Sequence, residues 1–173
     1  MVTKELLIKV GVSGQRAALF APLLDELLPA YGVNTPLRMR HFLAQALHET
    51  AGFKFLRELA SGDAYDTRTD LGNTPEKDGD GRRYKGRGIF QTTGRYNYRR
   101  VGQKMGLDLI AKPELLEQPR YAVISAGLFW ADKGLAALAD RDDIKGVTKR
   151  VNGGYNGIES RTAWYNQLKK AGL

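Results

Sequence analysis

The stretch HFLAQALHETAGFKFLRE, residues 41–58, decides what kind of fold the chain makes. Phe42, Leu43, Ala46 and Leu47 fall at helical spacing and continue an apolar side that opens at Leu37. Thr35 can cap this helix, Pro36 suits its first position, and Gly52 ends it just after Glu49. Glu49 shares a face with Phe42, Gln45 and Ala46, so it emerges from the partly apolar side, near a helix end whose dipole disfavours an anion. Burial and dipole both push a carboxyl pKa upward, which suits a group that must hold a proton until it is needed. Glu58 follows after a turn containing Gly52, so a second carboxylate can face the first across a gap. Inverting glycosidases keep such a pair roughly 6.5–9.5 Å apart to admit a water, and retaining ones about 5–5.5 Å.

Outward from this helix the pattern stays helical. Residues 3–31 carry Leu19, Leu23, Leu24, Leu27 and Leu28 at helix spacing, with Ser13 as a candidate N-cap, Pro22 as a candidate kink and Gly32 as a stop. Later helices are predicted over TGRYNYRRVGQKMG, over EQPRYAVISAGLFWADKG from Pro119 with Val123, Ile124, Leu128 and Phe129 buried, over DRDDIKGVTKRVNGG, and over about residues 158–170 with Trp164 and Leu168. Between Ser61 and Gly88 the sequence turns to Gly, Asp and Asn, which is loop chemistry. The predicted fold is therefore mostly α, with one long Gly/Asp-rich loop that has room for a short β-hairpin.

With 173 residues the chain has the size of one domain, and without cysteine its stability must come from packing. The N-terminus lacks the long apolar core of a signal peptide, and no window is apolar enough to span a membrane, so synthesis and retention in the cytoplasm are expected. The net charge of +8 is concentrated in residues 81–104, where eight Lys and Arg occur without an acid and the remainder of the chain balances. Such a field points to an anionic partner: nucleic acid, lipid headgroups or an acidic cell-wall polymer.

Several chemistries find no support. The position four after His48 is Gly52, so the two-histidine zinc helix is absent, and the half calcium loop at Asp78–Gly81 continues into Arg82, Tyr84 and Lys85. No serine sits in a nucleophile elbow, and GDGRRYKGRG lacks the Lys-Ser/Thr ending of a phosphate loop. No metal or cofactor is expected.

HETAGF, YKGRGIFQTTGRYNY (residues 84–98) and VNGGYNGIESR (residues 151–161), in this order, resemble the family 19 glycoside hydrolases, the plant-type chitinases, and most closely their phage and prophage lysozyme-like endolysin branch. The resemblance runs from about residue 38 to the C-terminus, with DLGNT and DGDGRRYKGRG also fitting the endolysin pattern. It implies a lysozyme-like helical domain over residues 1–173, with residues 1–35 as an N-terminal helical part and 36–173 as the family-19-like core. It implies Glu49 as general acid, Glu58 as general base, and Thr93 as a holder of the attacking water. Gln91, Asn97 and Tyr96 would meet the sugar, Asn152 and Arg161 would brace the far side of the cleft, and His48 would support the substrate-binding segment. The absence of the plant enzymes' cysteines and cleft loops favours a monomeric endolysin acting on peptidoglycan glycan strands over a chitinase. Its bond would be the β-1,4 link after N-acetylmuramic acid, cut by inversion, and the enzyme would reach the periplasm from a bacterial host's cytoplasm by holin-type release. The basic stretch could touch lipopolysaccharide or the anionic wall. From another class, a nucleic-acid-binding module would use the arginines from Arg82 to Arg100 with Tyr84, Tyr96 and Tyr98 as stacking platforms, but it leaves the glutamates unexplained.

Overall fold

The computed structural model describes residues 1–173 and contains nine α-helices, short 3-10 turns and no β-strand longer than an isolated bridge. No helix is long and apolar enough to cross a membrane. The chain forms two compact units, one of residues 1–55 with 126–173 and one of residues 56–125.

In the first unit, α1 (Lys4–Lys9) and α2 (Gly14–Leu27) pack together, and α3 (Pro36–Thr50) packs most extensively on the last helix, Ile158–Ala171. The helical region expected over 3–31 is two helices separated at residues 10–13, where Gly11 takes φ +103°, and Ser13 caps the second as expected by accepting from the Arg16 N–H at 3.4 Å. Thr35 caps α3 as expected, accepting from the Arg38 N–H at 3.2 Å. The end of α3 is less ordinary, because Ala51, Gly52 and Phe53 take φ of +49°, +74° and +64° in succession. A side chain in this left-handed region costs roughly 1 kcal/mol or more. Burial of Phe53, stacked at 4.3 Å on Phe20, offsets that cost, since burying a Phe contributes about 1.5–3 kcal/mol. Thr50 fixes the turn from inside: its hydroxyl donates to the Ala46 carbonyl at 2.6 Å and accepts from the Phe53 N–H at 2.8 Å.

The second unit carries the loop. It is punctuated by 3-10 turns at Asp63–Tyr65 and Thr69–Leu71 and by the single helical turn α4 (Asp80–Arg83), and it leads into α5 (Arg95–Met105). Tyr84, Tyr98, Leu109 and Leu116 form its core. The loop is pinned by buried polar side chains. Asn73, only 4% exposed, accepts from the first N–H of α5 at Arg95 and donates to the Tyr65 carbonyl, and Asp66 accepts from the Gly81 N–H at 2.8 Å. The expected hairpin shrinks to the antiparallel bridges Arg57–Arg87 and Arg87–Thr92.

Helix α6 (Pro119–Asp132) starts where its proline predicts and buries Ala122, Val123, Ala126 and Trp130. Ile124, Leu128 and Phe129, expected inside, are only partly buried. Trp130 packs against Phe42 instead, with ring centroids 5.7 Å apart. α7 (Leu135–Ala139), α8 (Ile144–Asn152) and α9 (Ile158–Ala171) complete the first unit.

Candidate active site

The structure gathers the candidate residues into two clusters, one in each unit. In the first unit Glu49 lies on the last turn of α3, with its side chain 24% exposed. Its Oε1 accepts from Arg161 Nη2 at 2.6 Å. Arg161 on α9 is 1% exposed, so it is a buried charge. A buried guanidinium must spend its N–H groups on acceptors, and this one has three: Glu49, Gln45 Oε1 at 2.7 Å and the Asn156 carbonyl at 3.3 Å. The counter-ion of Glu49 is therefore supplied from 112 residues away.

His48 stands beside this pair, with Nδ1 2.9 Å from Ser160 Oγ. Its ring lies so close to Gly157 that a Cβ there would overlap it. Burial first, then the Arg161 charge, holds its pKa below the usual histidine range, so it is a neutral packing and hydrogen-bonding group near pH 7. Asn152 is the last residue of α8 and is exposed, followed by Gly153 at φ +80°. Tyr155 in the same turn is 53% exposed, under Lys149.

The second cluster surrounds Gly86. The Gly86 N–H donates to Glu58 Oε2 at 2.7 Å, while Glu58 Oε1 is buried without a partner at ordinary hydrogen-bond distance, and the Tyr65 phenol interacts with this carboxylate. A Cβ built on Gly86 would lie 2.6 Å from Gln91 Oε1, 2.7 Å from Glu58 Oε2 and 3.3 Å from Thr93 Oγ1. Three residues expected at the site therefore converge on the space where a Gly86 side chain would stand. The turn that aims them is closed by reciprocal hydrogen bonds between Arg87 and Thr92, and it places Gln91 at φ +52°. Gln91 is held there by its own side chain, whose Nε2 donates to the Gly88 carbonyl at 2.8 Å. Thr93 Oγ1 donates to the Gln91 carbonyl at 3.0 Å, and Asn97 Nδ2 donates to the Thr93 carbonyl at 2.8 Å. Neither Gln91 nor Thr93 caps α5, whose N-cap is Gly94 without a side-chain bond. Burial, and next the Glu58 charge, raises the pKa of the nearby Tyr65 phenol. Tyr96 projects from the first turn of α5 and is 59% exposed.

Gly86 and Tyr65 were not singled out by sequence. The KGRG motif marked the neighbourhood, but only the fold shows that Gly86 is there for close approach, since its φ is not positive. No group of three or more His, Asp or Glu side chains is placed to hold a metal.

The profile of glycoside hydrolase family 19, described as chitinase class I, matches residues 38–134. The chain belongs to glycoside hydrolase family 19. A Haemophilus influenzae protein described as containing a family 19 domain is 30% identical over 166 residues, covering 79% of this chain and 81% of that protein. An endochitinase of Arabidopsis thaliana is 33% identical over 130 residues, covering 71% of this chain but only 44% of the plant protein. The family 19 fold is shared with chitinase C of Streptomyces griseus at a TM-score of 0.73 and 20% identity, covering 98% of this chain and 76% of that one. As the resemblance implied, the molecule is a mostly α, lysozyme-like family 19 glycoside hydrolase.

The basic stretch has a different character from the one its composition predicts. Arg82 pairs with Asp63, Arg95 with Asp80 and Arg87 with Glu117, so carboxylates from outside the stretch neutralise at least three of its eight cations. Tyr84 and Tyr98 are buried at 2% and 0% exposure, and Arg87 Nη1 bonds the Tyr98 hydroxyl at 3.0 Å. Of the three tyrosines required as stacking platforms, only Tyr96 is open to solvent.

Proposed function

We propose that the chain is a peptidoglycan-degrading glycosidase that hydrolyses the β-1,4 bond between N-acetylmuramic acid and N-acetylglucosamine, with inversion. Glu49 gives its proton to the leaving oxygen, and the Arg161 guanidinium stabilises the carboxylate that remains. Glu58 is the base. Oε2 is held by the Gly86 N–H, and Oε1, buried in this structure, is the oxygen that the water must reach to give up its proton. Thr93 has already committed its hydroxyl proton to the Gln91 carbonyl, so Oγ1 can only accept the water's other hydrogen. A water donating to both oxygens turns its lone pair toward the anomeric carbon. Gln91, Asn97, Tyr96, Asn152 and His48 line the sugar subsites.

The observation that carries this reading is the pair of built carboxylates, one ion-paired to a buried arginine and the other with one oxygen fixed and one without a partner at ordinary hydrogen-bond distance. The choice of peptidoglycan is supported by the greater shared length with the bacterial relative than with the plant one, the absence of cysteine, and the +8 charge, which favours an anionic wall. On this reading the enzyme is made in a bacterial host's cytoplasm and works as a monomer in the periplasm after holin-type release. A second reading, hydrolysis of chitin oligomers, is favoured by the relatives named endochitinase. Burial of Tyr84 and Tyr98 removes the main support for nucleic-acid stacking.

The test is turbidity loss of outer-membrane-permeabilised Gram-negative cells by wild type and by Glu49→Gln of equal circular dichroism. Lysis by the wild type alone is expected. Cleavage of chitin hexamers without lysis would replace peptidoglycan by chitin, and lysis by the variant would remove Glu49 as the acid.

A further inference from the structure

The buried partners of Arg161 form a chain that leads away from Glu49 into the core. Gln45 lies one helical turn before Glu49 on α3 and is 0% exposed, as is Thr148 on α8. Gln45 Nε2 donates to Thr148 Oγ1 at 3.2 Å, and Gln45 Oε1 accepts from Arg161 Nη1 at 2.7 Å. An amide can be turned either way round, and the wrong way would aim its NH2 at the guanidinium, donor against donor. Arg161 can only donate, so it selects the orientation that presents the carbonyl oxygen, and the Thr148 hydroxyl accepts from the NH2 on the other side and holds the amide in place. Neither residue is needed merely to fill space, because apolar isosteres exist for both. A buried polar pair is retained at a stability risk unless its polarity is used.

We propose that Gln45 and Thr148 are positioning residues that hold Arg161 in register with the Glu49 carboxyl, an inference that rests on reading Glu49 as the proton donor. Arg161 then approaches Glu49 from a fixed direction and binds Oε1, leaving Oε2 for the glycosidic oxygen. The helices α3, α8 and α9 each contribute one member, so the acid's geometry is set by the packing of the unit and not by a surface rotamer. Gln45 also shares the guanidinium's hydrogen-bonding capacity with Glu49. Without that carbonyl, Glu49 is the only side-chain acceptor Arg161 retains, and the charged form of the acid is favoured. His48 is the other titratable group that senses both Arg161 and Glu49.

The test uses purified Gram-negative sacculi, with release of reducing ends followed against pH and sacculus concentration, and melting temperatures taken alongside. Gln45→Met keeps length and removes both polar atoms; it is expected to lower kcat roughly tenfold with KM unchanged, and to move the alkaline limb of the profile to lower pH. Gln45→Glu adds a competing carboxylate and should move that limb the other way. Thr148→Val should repeat the Gln45→Met change more weakly, and Thr148→Ser, which keeps the hydroxyl, should recover from it. A folded Gln45→Met with wild-type kcat and pH profile would overturn the inference. So would a loss of stability in any of these variants with the alkaline limb unmoved, which is the signature of a core role alone. Glu49→Gln is measured in parallel: if it stays active, the reading of Glu49 fails, whereas an inactive Glu49→Gln beside a normal Gln45→Met overturns the positioning role alone.

Discussion

Replacing Gly86 with alanine adds one methyl group at the point where three polar groups of the second unit meet. Gly86 does not occupy the left-handed region, so alanine is conformationally allowed and the effect is steric. The new carbon would lie 2.6 Å from Gln91 Oε1, 2.7 Å from Glu58 Oε2 and 3.3 Å from Thr93 Oγ1. Ordinary contact begins near 3.4 Å, so the first two oxygens must each retreat by roughly 0.7 Å, and Thr93 by little. Both retreating atoms are the ends of side chains with rotatable bonds, so the stability cost should sit at the low end of overpacking, about 1 kcal/mol, or roughly 2–4 °C in Tm. Catalysis has no such slack. Displacing a base by this much moves the water it orients, and misplacements near 1 Å cost on the order of 100-fold in rate. Gly86→Ala should therefore melt within a few degrees of wild type while sacculus hydrolysis falls by one to two orders of magnitude. Wild-type turnover in the folded variant would refute the argument, because it would mean that Glu58, Gln91 and Thr93 do no chemistry in the arrangement observed.

Other perturbations address the scaffold. Ala51 is exposed at φ +49°, so Ala51→Gly relieves backbone strain without losing packing and should raise stability by about 1 kcal/mol in denaturant melts. Asn73→Ala leaves the Arg95 N–H and the Tyr65 carbonyl without their partner in a buried setting, and should destabilise by about 1–3 kcal/mol and speed proteolysis in the loop over residues 61–88. Stability should also fall as pH drops below the ordinary histidine value of 6.5, because burial holds His41 and His48 below it, so the unfolded chain binds more protons in that window. The chain has only these two histidines, and His41→Gln should visibly flatten the slope of Tm against pH between neutral and mildly acid conditions.

What could be read in the sequence shared one property: its physical cause is local. Thr35, Pro36 and Ser13 announce helix starts because a cap's partner lies three residues on, and each of them acts as expected. The end of α3 was placed correctly for a partly different reason, since Ala51 and Phe53 join Gly52 in the left-handed region and no propensity scale anticipates that. The helical region over residues 3–31 divides before Ser13, at Gly11, whose positive φ is a local cause of the break. Apolarity places Ile124, Leu128 and Phe129 in the core, yet they are only partly buried, because buried residues are mostly apolar but apolar residues are not always buried.

The site shows the same division more sharply. Glu49 is legible as a carboxylate leaving an apolar face, yet its ion-pair partner Arg161 lies 112 residues away, outside any local window of sequence. Composition gave the stretch over residues 81–104 eight uncompensated cations, but Asp63, Asp80 and Glu117 compensate three of them from other parts of the same unit. Charge counts along a chain measure what a segment brings, whereas a field depends on what folding sets beside it. The two tyrosines that gave the segment its nucleic-acid look are buried because their rings close a small core, with hydroxyls bonded to Ile110 and Lys85 carbonyls. The alternation of arginine and tyrosine in this chain is thus explained by the packing of the second unit, with Arg87 and Tyr98 as its polar centre.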